Sequence, residues 1–176
     1  MILISVIVAT RNRSEKIEAC LRSILANSFS DFELLVIDQS SDDKTEKIIK
    51  KIDSSQIRYL KMNKKGKSKA LNLGIKKARG EILAFTDDDC IVDKKWLENI
   101  YLDFQKDLKP VMVLGRVLPN SPHGNKGLHC ISINKFGKKK VFADLKEWYK
   151  RYYFFSGSNM SIKQEVFDKL GYYKEW

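Results

Sequence analysis

The chain is expected to fold as an α/β domain, with a Rossmann-like, mostly parallel sheet flanked by helices and a second half of mixed character. Three observations carry that expectation. From Ser5 to about residue 109, short β-branched apolar runs alternate with segments whose apolar residues recur at helical spacing, the pattern of strands joined by helical crossovers. After Pro110 that rhythm gives way to shorter strand-like and turn-rich pieces. Three adjacent carboxylates, Asp87, Asp88 and Asp89, end the apolar run Ile82-Leu83-Ala84-Phe85, and open parallel sheets bind ligands beyond the carboxyl ends of their strands.

The elements follow in order. Ser5-Val6-Ile7-Val8-Ala9 reads as a strand buried on both faces. Ser14 is placed to cap the next helix, on which Ile17, Leu21, Ile24 and Leu25 form an apolar stripe. Phe32 to Ile37 is the second strand. Ser40-Ser41-Asp42-Asp43 then offers caps and first-turn acids to a helix with Ile48, Ile49 and Ile52 on its apolar face. Ile57 to Leu60 is a short third strand, and a helix starting at Ser68 or Lys69 runs through Ala70, Leu73, Gly74 and Ala78 to a stop at Gly80. The strand bearing the acidic triplet and a helix around Trp96 to Ile100 complete this half.

Beyond Pro110, a strand is expected over Val111 to Val117, a turn-rich loop over Pro119 to Gly127, and a strand over Leu128 to Ile133. A basic turn follows at Gly137 to Lys140, then an aromatic segment, helical at first, from Leu145 to Phe155. Ser161 is expected to cap a last helix, Lys163 to Leu170, closed by Gly171. With no repeat and no low-complexity linker, residues 1–176 read as one domain with halves 1–109 and 110–176.

Composition narrows the function classes. The net charge of +11 resides largely in lysines on expected helix faces, which favours a solvated surface and an anionic ligand. No nucleic-acid-binding motif and no basic-aromatic ribbon is present, so a nucleic-acid partner is not expected. Apolar stretches such as Val111 to Leu114 are far too short to span a bilayer, and Met1 to Ser5 lacks the basic start of a signal peptide. Cys20, Cys90 and Cys130, odd in number and scattered, argue against a disulfide framework and for a reducing compartment. The expected location is cytoplasmic, with a peripheral place at the inner face of a membrane open.

The acidic triplet is the first candidate site. Side chains alternate along a strand, so Asp87 and Asp89 are expected to point one way and Asp88 the other. Like-facing carboxylates repel unless a cation lies between them, a role suited to a hard divalent ion. A solvated acidic turn is the plainer alternative, and the triplet alone leaves the two about even. Thr10-Arg11-Asn12-Arg13 directly follows the first strand and can cradle phosphates or a base. Asp38 ends the second strand, where an acid can bind ribose or a base; a local Asx turn is the plainer reading. Gly66-Lys67-Ser68 imitates the end of a P-loop, but Lys61 stands where that motif needs its first glycine.

In order, these segments are Thr10 to Arg13, Asp38 to Asp42, Gly66-Lys67-Ser68-Lys69-Ala70-Leu71-Asn72-Leu73-Gly74, Ala78-Arg79-Gly80-Glu81-Ile82 and Thr86 to Cys90. The series resembles the family 2 glycosyltransferases of the GT-A fold, which use nucleotide-diphosphate sugars. Ser156 to Ser161 with Glu165-Val166-Phe167, and Leu170-Gly171-Tyr172-Tyr173, extend the resemblance to the end of the chain. The resemblance implies that Thr10, Arg11 and Asp38 hold base and ribose, with Arg13, Ser40, Lys67, Lys69, Asp87 and Asp88 completing the nucleotide-binding set. Asp89 and Asp87 would ligate Mn²⁺ or Mg²⁺, and Gly157, Ser158 and Asn159 would line the sugar or acceptor pocket. The implied reaction is metal-dependent, inverting transfer from a nucleotide-diphosphate sugar, UDP-linked by preference, to a carbohydrate or lipid-linked acceptor.

Two departures matter. Leu71 stands where many members carry an arginine, so the diphosphate must find its cation elsewhere, at Lys67 or Lys69. The acidic motif that supplies the family's general base is expected beyond Trp176; Glu175 lies too early for it. The chain is therefore read as an incomplete acceptor half joined to a donor-binding half, active in transfer or only in binding. Two other classes compete. A nucleotidyltransferase would show a glycine-rich loop after the first strand, which Thr10 to Arg13 is not. A non-enzymatic anion- or membrane-surface-binding module would rest on the basic charge and the cluster Tyr152 to Phe155.

Overall fold

A computed structural model describes residues 2–106, 110–115, 117 and 157–175, together with the backbone of 130–133 and 139–142. The chain forms two compact units, residues 1–113 with 157–176 and residues 114–156. In the second, strands β6 (Cys130–Ile133) and β7 (Lys139–Phe142) pair antiparallel, Cys130 opposite Phe142.

The first unit is built on a sheet of strands β1 (Ile4–Thr10), β2 (Phe32–Asp38), β3 (Ile57–Lys61), β4 (Ile82–Asp87), β8 (Met160–Lys163) and the short β5 (Met112–Leu114). Their order is β3-β2-β1-β4-β8-β5. The four strands β1 to β4 run parallel, while β8 lies antiparallel to β4. This is the expected mixture of a parallel first half and a mixed remainder.

Strand periodicity divides the core into two layers. Ile4, Val6 and Val8 face helices α1 (Ser14–Leu25) and α4 (Trp96–Phe104) through Ile17, Leu21, Ile24, Leu97 and Ile100. On this side α2 (Lys44–Ile52) adds Ile49. Ile7, Leu35, Ile37, Leu83 and Phe85 face the opposite side, where α3 (Lys67–Lys77) supplies Ala70 and Ile75, and α5 (Gln164–Leu170) supplies Phe167. Both faces of the central strands are covered, which explains why β1 and β2 read as nearly unbroken apolar runs.

Several local expectations are corrected. Ser14 is already the first helical residue, after Arg13, and no side chain caps α1. At α2 the boundary residue is Asp43, again without a side-chain cap, while Asp42 Oδ1 accepts the Lys44 N–H at 3.2 Å. Helix α3 starts at Lys67, because Gly66 takes φ 130° and turns the chain into it. It stops at Lys77 rather than at Gly80; a Cβ on Gly80 would lie 2.6 Å from Ser5 N and 2.7 Å from the Ile4 carbonyl carbon. That glycine is required by close approach of the backbone, not by a helix end.

Ser161 is no cap. It is buried within β8, and α5 begins after Lys163 at Gln164; Gly171 does close that helix, at φ 84°. The strand expected over Val111 to Val117 is only Met112–Leu114, and Lys139 and Lys140 begin β7 instead of forming a turn. The stretches Pro119 to Gly127 and Leu145 to Phe155, with Ser156, lie outside the described residues.

Candidate functional site

The register of the parallel strands brings the sequence-distant motifs to one edge. Thr10 pairs with Asp38 across β1 and β2, and Ala9 pairs with Asp87 across β1 and β4. Beyond this edge lies an open cleft of about 490 Å³, lined by Ala9, Thr10, Arg11, Arg13, Gln39, Gly66, Lys67 and the triplet Asp87, Asp88 and Asp89. Seven of the expected site residues therefore share one cavity wall. Asp38, Ser40 and Lys69 do not line it.

The triplet is not a continued strand. β4 ends at Asp87, whose carbonyl accepts the Cys90 N–H at 3.2 Å, so the alternation expected to place Asp87 and Asp89 together against Asp88 stops there. Asp88, only 4% exposed, accepts from Thr10 Oγ1 at 2.7 Å and from Arg13 Nη1 at 2.8 Å. The same Arg13 nitrogen lies 3.2 Å from Asp89 Oδ2, so one guanidinium joins the second and third acids. Its hydrogen bond and charge pairing with Asp88, then Asp89, hold the Arg13 pKa above its ordinary value.

Asp87 is held by a different pair. Lys67 Nζ lies 2.5 Å from Oδ1, and Ser158 Oγ donates to Oδ2 at 2.6 Å. Burial pushes the Asp87 pKa up, but Lys67 and Ser158, with Arg13 behind them, prevail and hold it below the usual carboxylate value. Under the turn, Cys20 Sγ donates to the Asp87 carbonyl at 3.4 Å. Burial, reinforced by Cys90 and the nearby acids, pushes this thiol up to about 12, so it stays protonated at neutral pH. Among the described residues, no three His, Cys, Asp or Glu side chains are grouped so as to hold a metal by themselves.

Asp38 is fully buried at the adjoining strand end. Its Oδ1 accepts the Ser40 N–H at 2.7 Å, the Asx turn that the sequence allowed, and its Oδ2 accepts from Tyr59 at 2.8 Å and Lys61 at 3.1 Å. Burial opposes ionisation, but these donors keep the pKa below the ordinary value. Ser40 Oγ accepts the Asn12 N–H at 2.8 Å, and Asn12 Oδ1 accepts the Ser41 N–H at 2.9 Å. Asn12 achieves this at φ 53°, a conformation that asparagine tolerates better than most residues. The loops after β1 and β2 are thus stitched together, and Ser40 serves that stitch.

Gln39 and Gly66 were not anticipated on the wall. The Gln39 amide donates to the Gly66 carbonyl at 3.1 Å and also to that of Lys64, fastening the loop that delivers Lys67. Gln39 and Gly66 both stand inside segments that the sequence singles out, Asp38 to Asp42 and Gly66 to Gly74, but neither is given a role there. Ser158 reaches Asp87, as above, while Asn159 accepts from Trp96 Nε1 at 2.9 Å. Gly157 lines a second pocket of about 160 Å³ with Ala9, Lys67, Leu71, Phe85, Thr86, Asp87, Met160 and Tyr173. Glu175 lines neither cavity; its Oε1 accepts from Asn72 at 2.9 Å.

The comparisons with known proteins agree on one family. The family model described as glycosyl transferase family 2 matches residues 5–171. Glycosyltransferase AglE of Haloferax volcanii is 35% identical over 101 residues, which are 54% of this chain and 33% of that protein. The Escherichia coli UDP-Glc:alpha-D-GlcNAc-diphosphoundecaprenol beta-1,3-glucosyltransferase WfaP is 39% identical over 90 residues, 51% of this chain and 36% of its own length. This chain thus spans about a third of the curated relatives it matches. Among solved structures, the Pyrobaculum calidifontis mannosyltransferase PcManGT in complex with GDP-Man and Mn²⁺ superposes with a TM-score of 0.71 at 21% identity, covering 97% of this chain and 47% of that one. TarS of S. aureus in complex with UDP-GlcNAc gives 0.69 at 20% identity, covering 98% and 48%. At these identities the solved structures establish the shared GT-A fold.

Proposed function

Since the chain belongs to glycosyltransferase family 2, we propose that it forms the donor-binding part of an enzyme that transfers a sugar from a nucleoside diphosphate to an acceptor hydroxyl. The observation that carries this reading is the cleft at the carboxyl ends of β1, β2 and β4, with two cations, Arg13 and Lys67, set among three carboxylates. A diphosphate needs cations, and the carboxylates answer a divalent metal.

In this reading Thr10, Arg11 and Asp38 hold the base and ribose, Asp38 by shaping the loop from below. Arg13 and Lys67 face the phosphates, with Ser40 joining the loops after β1 and β2. Asp89 and Asp87 are hard oxygen donors that fit Mn²⁺ or Mg²⁺, and Asp88 positions Arg13. The metal, when bound, supplies positive charge against the leaving diphosphate. Gly157, Ser158 and Asn159 border the sugar. The reaction is inverting, and its base comes from residues other than those in the cleft.

UDP is the preferred nucleotide in this proposal, GDP the alternative; of the two neighbours, TarS holds UDP-GlcNAc and PcManGT holds GDP-Man. The acceptor is a carbohydrate or a lipid-linked glycan, the latter at a membrane surface; no described helix is long and apolar enough to cross a membrane. Residues 1–176 act as one domain, with the nucleotide held by residues 1–109.

Calorimetric titration of UDP and GDP, with and without Mn²⁺, on the wild type and Asp89→Ala tests the donor site. Metal-dependent binding that the substitution abolishes in a folded protein is expected. Failure of both nucleotides to bind, or binding indifferent to metal and to Asp89, rejects it.

A further inference from the structure

Beyond the Lys67–Asp87 ion pair the cleft adjoins the smaller pocket, for the two share Ala9, Lys67 and Asp87. Its character is different. Ala9, Leu71, Phe85, Met160 and Tyr173 form most of its wall, Thr86 adds a buried hydroxyl, and side-chain charge enters only at Lys67 and Asp87, the residues facing the diphosphate cleft. The wall is fixed. Asn72, itself 3% exposed, donates its amide to the Tyr173 carbonyl at 2.8 Å and accepts the Tyr173 N–H at 3.0 Å. The Tyr173 ring then packs edge-on against Phe85 and Phe167, with centroids 6.5 Å and 5.7 Å away.

We propose that this pocket receives the acetamido group of an N-acetylated hexose, so that the donor is a nucleotide-linked N-acetylhexosamine rather than a fully hydroxylated hexose. The inference deepens the donor-site reading and rests on it. A hexose hydroxyl pressed against Leu71, Phe85 and Met160 would lose its water and find only the Thr86 hydroxyl, buried without a partner among the described residues, whereas a methyl loses nothing and removes apolar surface from water. The amide of the same group has its polar end toward the mouth, where Lys67 and Asp87 stand. Asn72 is the positioning residue of this wall.

Titration of UDP, UDP-N-acetylglucosamine and UDP-glucose in the presence of Mn²⁺ tests the proposal. The N-acetylated donor is expected to bind at least about tenfold more tightly than UDP-glucose, the discrimination that an apolar pocket gives a matching group. Leu71→Asn and, as an independent change, Met160→Gln should each shrink that ratio, with UDP titrated in each variant to read the rest of the cleft. Equal affinity for the two sugars, a preference for glucose, or a ratio untouched by both variants overturns the proposal while UDP still binds. Loss of all three ligands in the wild type instead overturns the donor-site reading beneath it.

Discussion

Lys67 Nζ lies 2.5 Å from Asp87 Oδ1, and Ser158 holds the other oxygen of that carboxylate. The protein's own donors thus occupy the acid at the end of β4, and Arg13 does the same for Asp88 and Asp89. A divalent cation arriving alone must compete with an ammonium and a guanidinium. A nucleoside diphosphate offers those cations another anion and frees the carboxylates. Metal and nucleotide are therefore expected to bind cooperatively, through charges that change partners.

The two ligands should respond oppositely to Lys67→Met. Without nucleotide, Mn²⁺ is expected to bind more tightly, by roughly two- to fivefold, the scale of one exposed ion pair. With Mn²⁺ present, UDP should bind more weakly, by about tenfold, for want of a charge-assisted contact. Paramagnetic titration of Mn²⁺ and calorimetry of UDP read the two arms separately. A change of the same sign in both would show that Lys67 does not exchange partners.

Asp88 is structural as well as electrostatic. Asp88→Ala leaves the buried Thr10 hydroxyl and the Arg13 guanidinium without their shared acceptor, and is expected to cost about 1–3 kcal/mol in urea unfolding. Asp89→Ala removes a more exposed partner and should cost less than about 1 kcal/mol. Equal losses would mean that burial does not distinguish the two acids.

Two glycines give a contrast in backbone and side-chain crowding. A Cβ on Gly80 meets the main chain of Ile4 and Ser5, while a Cβ on Gly74 meets the Ile7 side chain, with Cγ2 at 2.6 Å. A side chain can turn and a strand backbone cannot. Gly80→Ala is expected to destabilise by about 3 kcal/mol, Gly74→Ala by about 1 kcal/mol, helped by alanine's higher helix propensity. Thermal and urea unfolding of both variants checks the order.

The parallel half of the fold and most of the cleft wall were legible because both depend on local pattern. Apolar periodicity fixed β1 to β4 and their helices, and parallel pairing then forces Thr10, Asp38 and Asp87 to one edge. What the sequence did not reveal depends on contacts across long separations. Ser161 looks like a cap until antiparallel pairing of β8 with β4 claims it. Gln39 reaches the Gly66 carbonyl 27 residues away, and Asn72 reaches Tyr173 across 101 residues. The triplet misled for a local reason: alternation applies only while the strand lasts, and β4 ends at its first acid.

Asp38 gives the protein an acid-sensitive contribution to stability. Its folded pKa lies below the ordinary value because Ser40, Tyr59 and Lys61 donors outweigh burial. The unfolded chain therefore binds a proton at Asp38 more readily than the folded one, so stability rises with pH through this window. The contribution is complete above the unfolded pKa of about 3.9 and is lost as pH falls through the depressed folded value. Asp38→Asn removes this dependence. It also replaces the carboxylate oxygen that accepts from Tyr59 and Lys61, so the variant is expected to be less stable than the wild type at pH 7 by about 1–3 kcal/mol. The gap should narrow as pH is lowered from 5 toward 3 in urea unfolding series. A gap that stays constant across that range would show that the Asp38 charge is no more stabilised in the fold than in the open chain.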